Sequence, residues 1–306
     1  VFVPQKAVTA ATRTVTSYQW TFEKYVFPVL GNFLMQDVTA AQITALLLGL
    51  QEQGLAHSSV VRVYTILNGL FKSALLDDTI IVNPMDKVQR PRPRKDEVKA
   101  TEPEIFTEQE VVHLLNCLQE APLKWRAFIS LLVETGIRRG EGCGLQWKNV
   151  DLKNNQITVA GGVIYTPETG VQPDTTKGKA VRTIPISAGM ASLLRSMRSE
   201  QKIVSTWVFP MADNPTLPMH PDTPSKYFSA FGEKHGIENL HPHKLRHTFA
   251  SIGLTNGADV VSISKLLGHA DTSVTLRVYS HATAESRKRA SDIFQNAIQE
   301  ASTKKA

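Results

Sequence analysis

Apolar positions recur along most of this chain at helical spacing, with one interval near the middle where alternation takes over. Residues 17–30 predict a helix that stops at Gly31. Thr39 opens a second, with Gln42 three positions on completing a capping box. Ile43, Leu46, Leu47 and Leu50 share its apolar face, and Gly54 ends it. A third begins near Ser58, where Val60, Tyr64, Leu67, Phe71 and Ala74 recur at three- and four-residue steps; Asn83-Pro84 bounds it. Short helices joined this closely predict a small bundle.

A second capping box, Thr107 with Glu110, opens another helix whose face is Val111, Leu114, Leu115 and Leu118. Residues 125–134 are apolar nearly all round (Phe128, Ile129, Leu131, Leu132, Val133), which predicts a buried helix. The period then changes. Residues 156–159, 163–165 and 181–186 read as strands, set apart by the turn residues Lys153-Asn154-Asn155 and Gly161-Gly162. Helical spacing returns after Ser187, including an amphipathic stretch at 284–301 with Ile293, Phe294 and Ile298 on one side. The fold class is therefore mainly α with a small antiparallel β-sheet, in a helical domain over 1–88 and a mixed α/β domain over 104–306. Between them, 89–103 contains Arg90-Pro91-Arg92-Pro93-Arg94-Lys95. Proline keeps this run out of a helix, so it reads as an extended basic linker, either a solvated connector or a strap that meets phosphates.

Composition narrows the partners without choosing one. A length of 306 residues suits two domains, and 42% hydrophobic with 20% charged residues suits a globular chain. No apolar run approaches the ~18–20 residues of a membrane span, and the first residues lack the charged-then-apolar order of a secretory signal. The expectation is a cytoplasmic protein with no membrane partner. Two cysteines, Cys117 and Cys143, with no Cys-x-x-Cys pair, exclude a disulfide framework and a cysteine zinc site. A formal net charge of +6 admits nucleic acid as partner and does not establish it.

Four clusters carry candidate chemistry, and each has an ordinary structural reading as well. Thr135-Gly136-Ile137-Arg138-Arg139-Gly140-Glu141 is a helix stop followed by an arginine beside a carboxylate. Thr176-Lys177-Gly178-Lys179 reads as a hairpin tip able to deliver an ammonium. His241-Pro242-His243-Lys244-Leu245-Arg246-His247 places His243 and Arg246 on one helix face. Its three histidines invite a metal, but no Glu stands beside His243 or His247 to complete the zinc-protease pattern, so no metal is expected. Leu266-Leu267-Gly268-His269 is followed ten residues later by Tyr279.

In this order the clusters resemble those of the tyrosine recombinase (phage integrase) family: Thr-Gly-x-Arg-x-x-Glu, a lysine on a β-hairpin, His-x-Leu-Arg, Leu-Gly-His and a following tyrosine. The matching positions here are Arg138, Lys177, His243, Arg246, His269 and Tyr279. Lys177 is preferred to Lys179 because it lies five residues before Arg182, as the family's lysine usually does. The resemblance implies a helical core-binding domain over 1–88, a catalytic domain over 104–306, and site-specific recombination of double-stranded DNA by a homotetramer. It implies no cofactor, metal or ATP, and admits an accessory directionality factor. Tyr279 would be the nucleophile, His243 the base, Lys177 the general acid, and Arg138, Arg246 and His269 the phosphate clamp. The 284–301 helix would pack on a neighbouring subunit. A small arm-binding domain, which many members carry ahead of the core-binding domain, finds no room in this chain. The alternatives are relaxation by a type IB topoisomerase, a DNA-binding regulator that does not cut, and a metal-dependent nuclease using the histidines.

Overall fold

A computed structural model describes residues 12–94, 104–174, 181–201 and 205–268. The chain divides into two units, Val1–Ala100 and Thr101–Ala306, and each encloses a core of its own.

In the first unit, α1 (Thr12–Thr21) runs through a π-helical turn, Phe22–Val26, into α2 (Phe27–Leu30). The helix expected over 17–30 is present, but it starts earlier and contains one widened turn. Pro28 supplies the reason: it cannot donate to the carbonyl one turn back, and its ring crowds that oxygen. Helix α3 (Ala40–Glu52) opens on the capping box foreseen from Thr39 and Gln42. Thr39 N–H donates to Gln42 Oε1 at 2.8 Å, and Gln42 N–H donates to Thr39 Oγ1 at 3.3 Å. Its buried face is Ile43, Leu46, Leu47 and Leu50. Helix α4 (His57–Leu76) stops well short of Asn83-Pro84, because Asp78 turns left-handed (φ 53°). Asn83 instead caps a short 3-10 turn, accepting from Met85 N–H at 3.1 Å. The start of the basic run lies along this unit: Gln51 Nε2 donates to Arg92 O at 2.9 Å, and Arg94 donates to Gln51 O at 2.7 Å near the end of α3. Residues 95–103 fall outside the described residues.

The second unit is built around α6. Helix α5 (Glu108–Cys117) begins at the Thr107–Glu110 capping box; α6 (Leu123–Thr135) buries Ala127, Phe128, Ile129, Leu131 and Leu132. Phe128 meets Phe209 edge-on, with ring centroids 4.9 Å apart. A short helix α7 (Arg139–Cys143) follows, then β1 (Val150–Asp151), β2 (Gln156–Val159), β3 (Gly162–Thr166), β4 (Gly170–Asp174) and β5 (Arg182–Pro185). The single expected sheet proves to be two: a three-stranded antiparallel sheet in the order β1-β2-β5, and a separate β3-β4 hairpin. Helices α8 (Ala188–Glu200), α9 (Thr223–His235), α10 (Pro242–Thr255) and α11 (Val260–Leu267) complete the described part. Helix α10 packs along α6. No helix among the described residues is long and apolar enough to cross a membrane.

Candidate active site

Two helix ends frame the site. Helix α6 stops at Gly136 (φ 61°) and α11 at Gly268 (φ 67°), both in the left-handed region. Such ends leave carbonyl oxygens without intrahelical partners and carry the negative pole of the helix. Guanidinium groups take up those oxygens. Arg246, buried on α10, donates to Gly136 O at 2.9 Å and to Leu267 O at 2.8 Å. Arg138 donates to Gly268 O at 3.1 Å. Leu267 and Gly268 are consecutive, so two positive groups are tethered to adjoining carbonyls of one turn. The Arg138 side chain remains 40% exposed, enough to meet a ligand from solvent.

Glu141 sets the position of Arg138. Its carboxylate is 3% exposed and accepts from Arg138 Nη1 at 3.0 Å and from Arg138 N–H at 2.8 Å, closing the first turn of α7. Arg182, at the start of β5, binds the same carboxylate on both oxygens, Nη1 to Oε1 at 3.1 Å and Nη2 to Oε2 at 2.7 Å. Burial pushes the Glu141 carboxyl toward neutrality, but the Arg182 and Arg138 hydrogen bonds and charges outweigh it and hold the group below its ordinary value. Arg139 is used elsewhere, donating to Ser225 Oγ at 2.5 Å and pairing with Asp222 at 3.3 Å.

His243 lies three residues before Arg246 on α10 and remains open to solvent. Partial loss of hydration, then the charges of Arg246, His241 and Arg138, lower its pKa from the ordinary 6.5. A neutral imidazole at pH 7 follows, which is the form that accepts a proton. His247 stands edge-on to it at 4.5 Å between centroids. His241 has a different task. It is the N-cap of α10, its Nδ1 accepting from Lys244 N–H at 3.1 Å. Among the described residues no group of three His, Cys, Asp or Glu side chains is placed to hold a metal ion.

The structure thus brings Arg138, His243 and Arg246 to one locality. Lys177, Lys179, His269, Tyr279 and the 284–301 helix lie outside the described residues. Sequence reasoning left out Arg182, using it only to choose between lysines. It also left out the carbonyls of Gly136, Leu267 and Gly268. Gly136 was legible as a helix stop; the arginines that the exposed oxygens of such stops attract were the missed step.

A buried guanidinium, a half-exposed guanidinium and a solvent-open imidazole thus stand together at two helix ends. The phage integrase family model matches residues 104–286, and this chain belongs to that family. The ICEBs1 integrase of Bacillus subtilis is 24% identical over 268 residues, covering 84% of this chain and 71% of the relative. The tyrosine recombinase XerA of Pyrococcus furiosus is 28% identical over 275 residues, covering 88% and 87%. Among solved structures, the Tn1549 transposon integrase in complex with transposon right end DNA shares the fold with a TM-score of 0.80. It is 21% identical and covers 95% of this chain and 97% of that one. A lambda integrase tetramer bound to a Holliday junction matches with a TM-score of 0.68 at 18% identity, covering 88% and 74%.

Proposed function

We propose that this chain is a site-specific DNA recombinase, an integrase that cuts and rejoins double-stranded DNA through a 3′-phosphotyrosine and so integrates or excises a mobile element. The observation that carries the proposal is the pair of guanidinium groups, Arg138 and Arg246, tethered to adjoining carbonyls beside a neutral His243, in a chain of this family.

Phosphoryl transfer without a metal ion needs side chains to neutralise a pentacoordinate phosphorus. Arg138 and Arg246 bind the non-bridging oxygens, with His269 as a further donor. The Tyr279 hydroxyl attacks phosphorus, and His243 takes its proton, since a phenol of pKa near ~10 is otherwise a weak nucleophile at neutral pH. Lys177 protonates the departing 5′ oxygen of deoxyribose. The products are a tyrosyl 3′-phosphodiester and a free 5′-hydroxyl. One phosphodiester replaces another, so no ATP is consumed, and a 5′-hydroxyl from a second strand reverses the step. The region over 1–88 acts as the DNA clamp, 89–103 as a basic linker and 104–306 as the catalytic domain. The Tn1549 integrase has been solved on transposon-end DNA and lambda integrase as a tetramer on a Holliday junction. Double-stranded DNA as partner and a homotetramer as working assembly follow that precedent. Such an enzyme acts on the chromosome, in the cytoplasm.

The test is recombination of a plasmid carrying two candidate crossover sites, in EDTA. The expected result is exchange by the wild type and none by Tyr279→Phe. Supercoil relaxation without exchange would favour the topoisomerase reading, and dependence on added metal would contradict the mechanism.

A further inference from the structure

Arg182 lies outside the six residues assigned to the chemistry, yet it touches both the carboxylate that holds Arg138 and the turn at the end of α11. Its Nη1 and Nη2 clasp both oxygens of Glu141, the carboxylate that holds Arg138. Its Nε donates to Leu266 O at 2.6 Å, in the turn whose next two carbonyls hold Arg246 and Arg138. The side chain is 11% exposed. The fit leaves no slack: a Cβ on Gly268 would lie 2.7 Å from Arg182 Nη1. Arg182 is also the first residue of β5, paired with Val159 of β2. The guanidinium therefore joins α7, β5 and the end of α11 through three hydrogen bonds, which a lysine with its single point charge cannot reproduce.

We infer that Arg182 is a positioning residue for the strand-transfer reaction, fixing the Arg138 guanidinium through their shared carboxylate and locking the Leu266–Gly268 turn against it. The inference rests on the function proposed above. Arg182 touches no reacting atom on this account; it acts through Glu141. The charged groups facing the Glu141 carboxylate are Arg138 from its own segment and Arg182 from β5. Burial is already the largest single influence on Glu141, and the Arg182 hydrogen bonds and charge are the strongest ones opposing it; without Arg182 the Glu141 pKa rises. At a pH below that raised value Glu141 is protonated, and it no longer holds Arg138 by charge.

The experiment measures single-turnover covalent adduct formation on a nicked duplex, from pH 5 to 9, for wild type, Arg182→Lys, Arg182→Ala and Arg182→Ala/Glu141→Gln. Displacing a clamp group by ~1 Å costs roughly a hundredfold in rate, and that loss is expected at pH 7 for both single variants, with DNA affinity kept. The acidic limb of Arg182→Ala should move toward neutrality and return to its wild-type position, set by His243, when Glu141 is also replaced. A limb unmoved from wild type, or a loss confined to affinity, overturns the inference. Thermal unfolding over pH 4–8 decides the matter independently of activity. A carboxylate with lowered folded pKa stabilises above its unfolded value of ~4.3 and loses that contribution as pH falls; one with raised pKa destabilises increasingly as pH rises above ~4.3. The melting-temperature deficit of Arg182→Ala should therefore widen from pH 4 to 7 and narrow on adding Glu141→Gln. A deficit constant with pH would overturn the inference. If wild type forms no Tyr279-dependent adduct, the proposed function fails while the melting series still reports on Arg182.

Discussion

At the end of α6 the chain turns on Gly136, and Arg138 and Arg139 leave in different directions. Arg138 meets Glu141 and Gly268 O with part of its guanidinium still exposed, whereas Arg139 is consumed by Ser225 and Asp222. Their substitutions should separate cleanly. On the proposed mechanism Arg138→Ala removes a donor to the developing phosphate charge, a class of change that costs about 10²–10³-fold in rate. Arg139→Ala breaks a largely solvent-screened pair, worth roughly 0–1 kcal/mol of stability, and should leave the cleavage rate near wild type. Single-turnover cleavage beside thermal melts measures both, and equal rate losses would contradict the division. Only the resemblance to Thr-Gly-x-Arg-x-x-Glu singled out Arg138; local chemistry does not separate adjacent arginines, because their difference lies in partners 86 and 130 residues away, on α9 and at the end of α11. His241 was similarly opaque. A histidine beside two others suggests ligation, while its actual task is to cap α10 in place of the usual Ser, Thr, Asp or Asn.

Helices were legible where local chemistry and apolar spacing agree. Both capping boxes, Thr39 with Gln42 and Thr107 with Glu110, form as the sequence indicates, and the apolar face of α3 is the buried one. The strands were harder. Strand β4 contains Pro173 and mostly polar neighbours, so it lacks the alternation by which a strand is recognised; an edge position lets it tolerate the missing N–H. Glycines at helix ends connect this local order to the site. A Cβ on Gly136 would lie 2.5 Å from the Phe249 ring, and the residue already sits at φ 61°. Gly136→Ala combines left-handed strain with overpacking and should cost about 1–3 kcal/mol, read as a lower melting temperature. It should also weaken cleavage, because Gly136 O holds Arg246. An unchanged melting temperature would contradict the role given to this turn.

The molecule as a whole consists of two units with cores of their own: Ile43, Leu67 and Phe71 belong to one, Phe128, Leu131 and Phe209 to the other, which also holds a smaller cluster of Ala250, Leu254, Ile263 and Leu267. Fragments 1–100 and 101–306 should therefore each give a cooperative thermal transition when made separately; a fragment that melts without cooperativity would contradict independent cores. The order of four weak clusters along the chain made the family legible, while the mutual geometry of Arg138, His243, Arg246 and Arg182 became visible only with the fold, since the contacts that fix it span 41, 110 and 130 residues. The central claim is metal-free phosphoryl transfer by Tyr279, and one measurement reaches it most directly. The protein is incubated in EDTA with a nicked suicide duplex carrying a site it binds, and the SDS-resistant adduct is digested and sequenced by mass spectrometry. The account predicts a 3′-phosphorylated nucleotide on Tyr279, absent from Tyr279→Phe. No adduct on a site that is demonstrably bound, or an adduct on another residue, would contradict it.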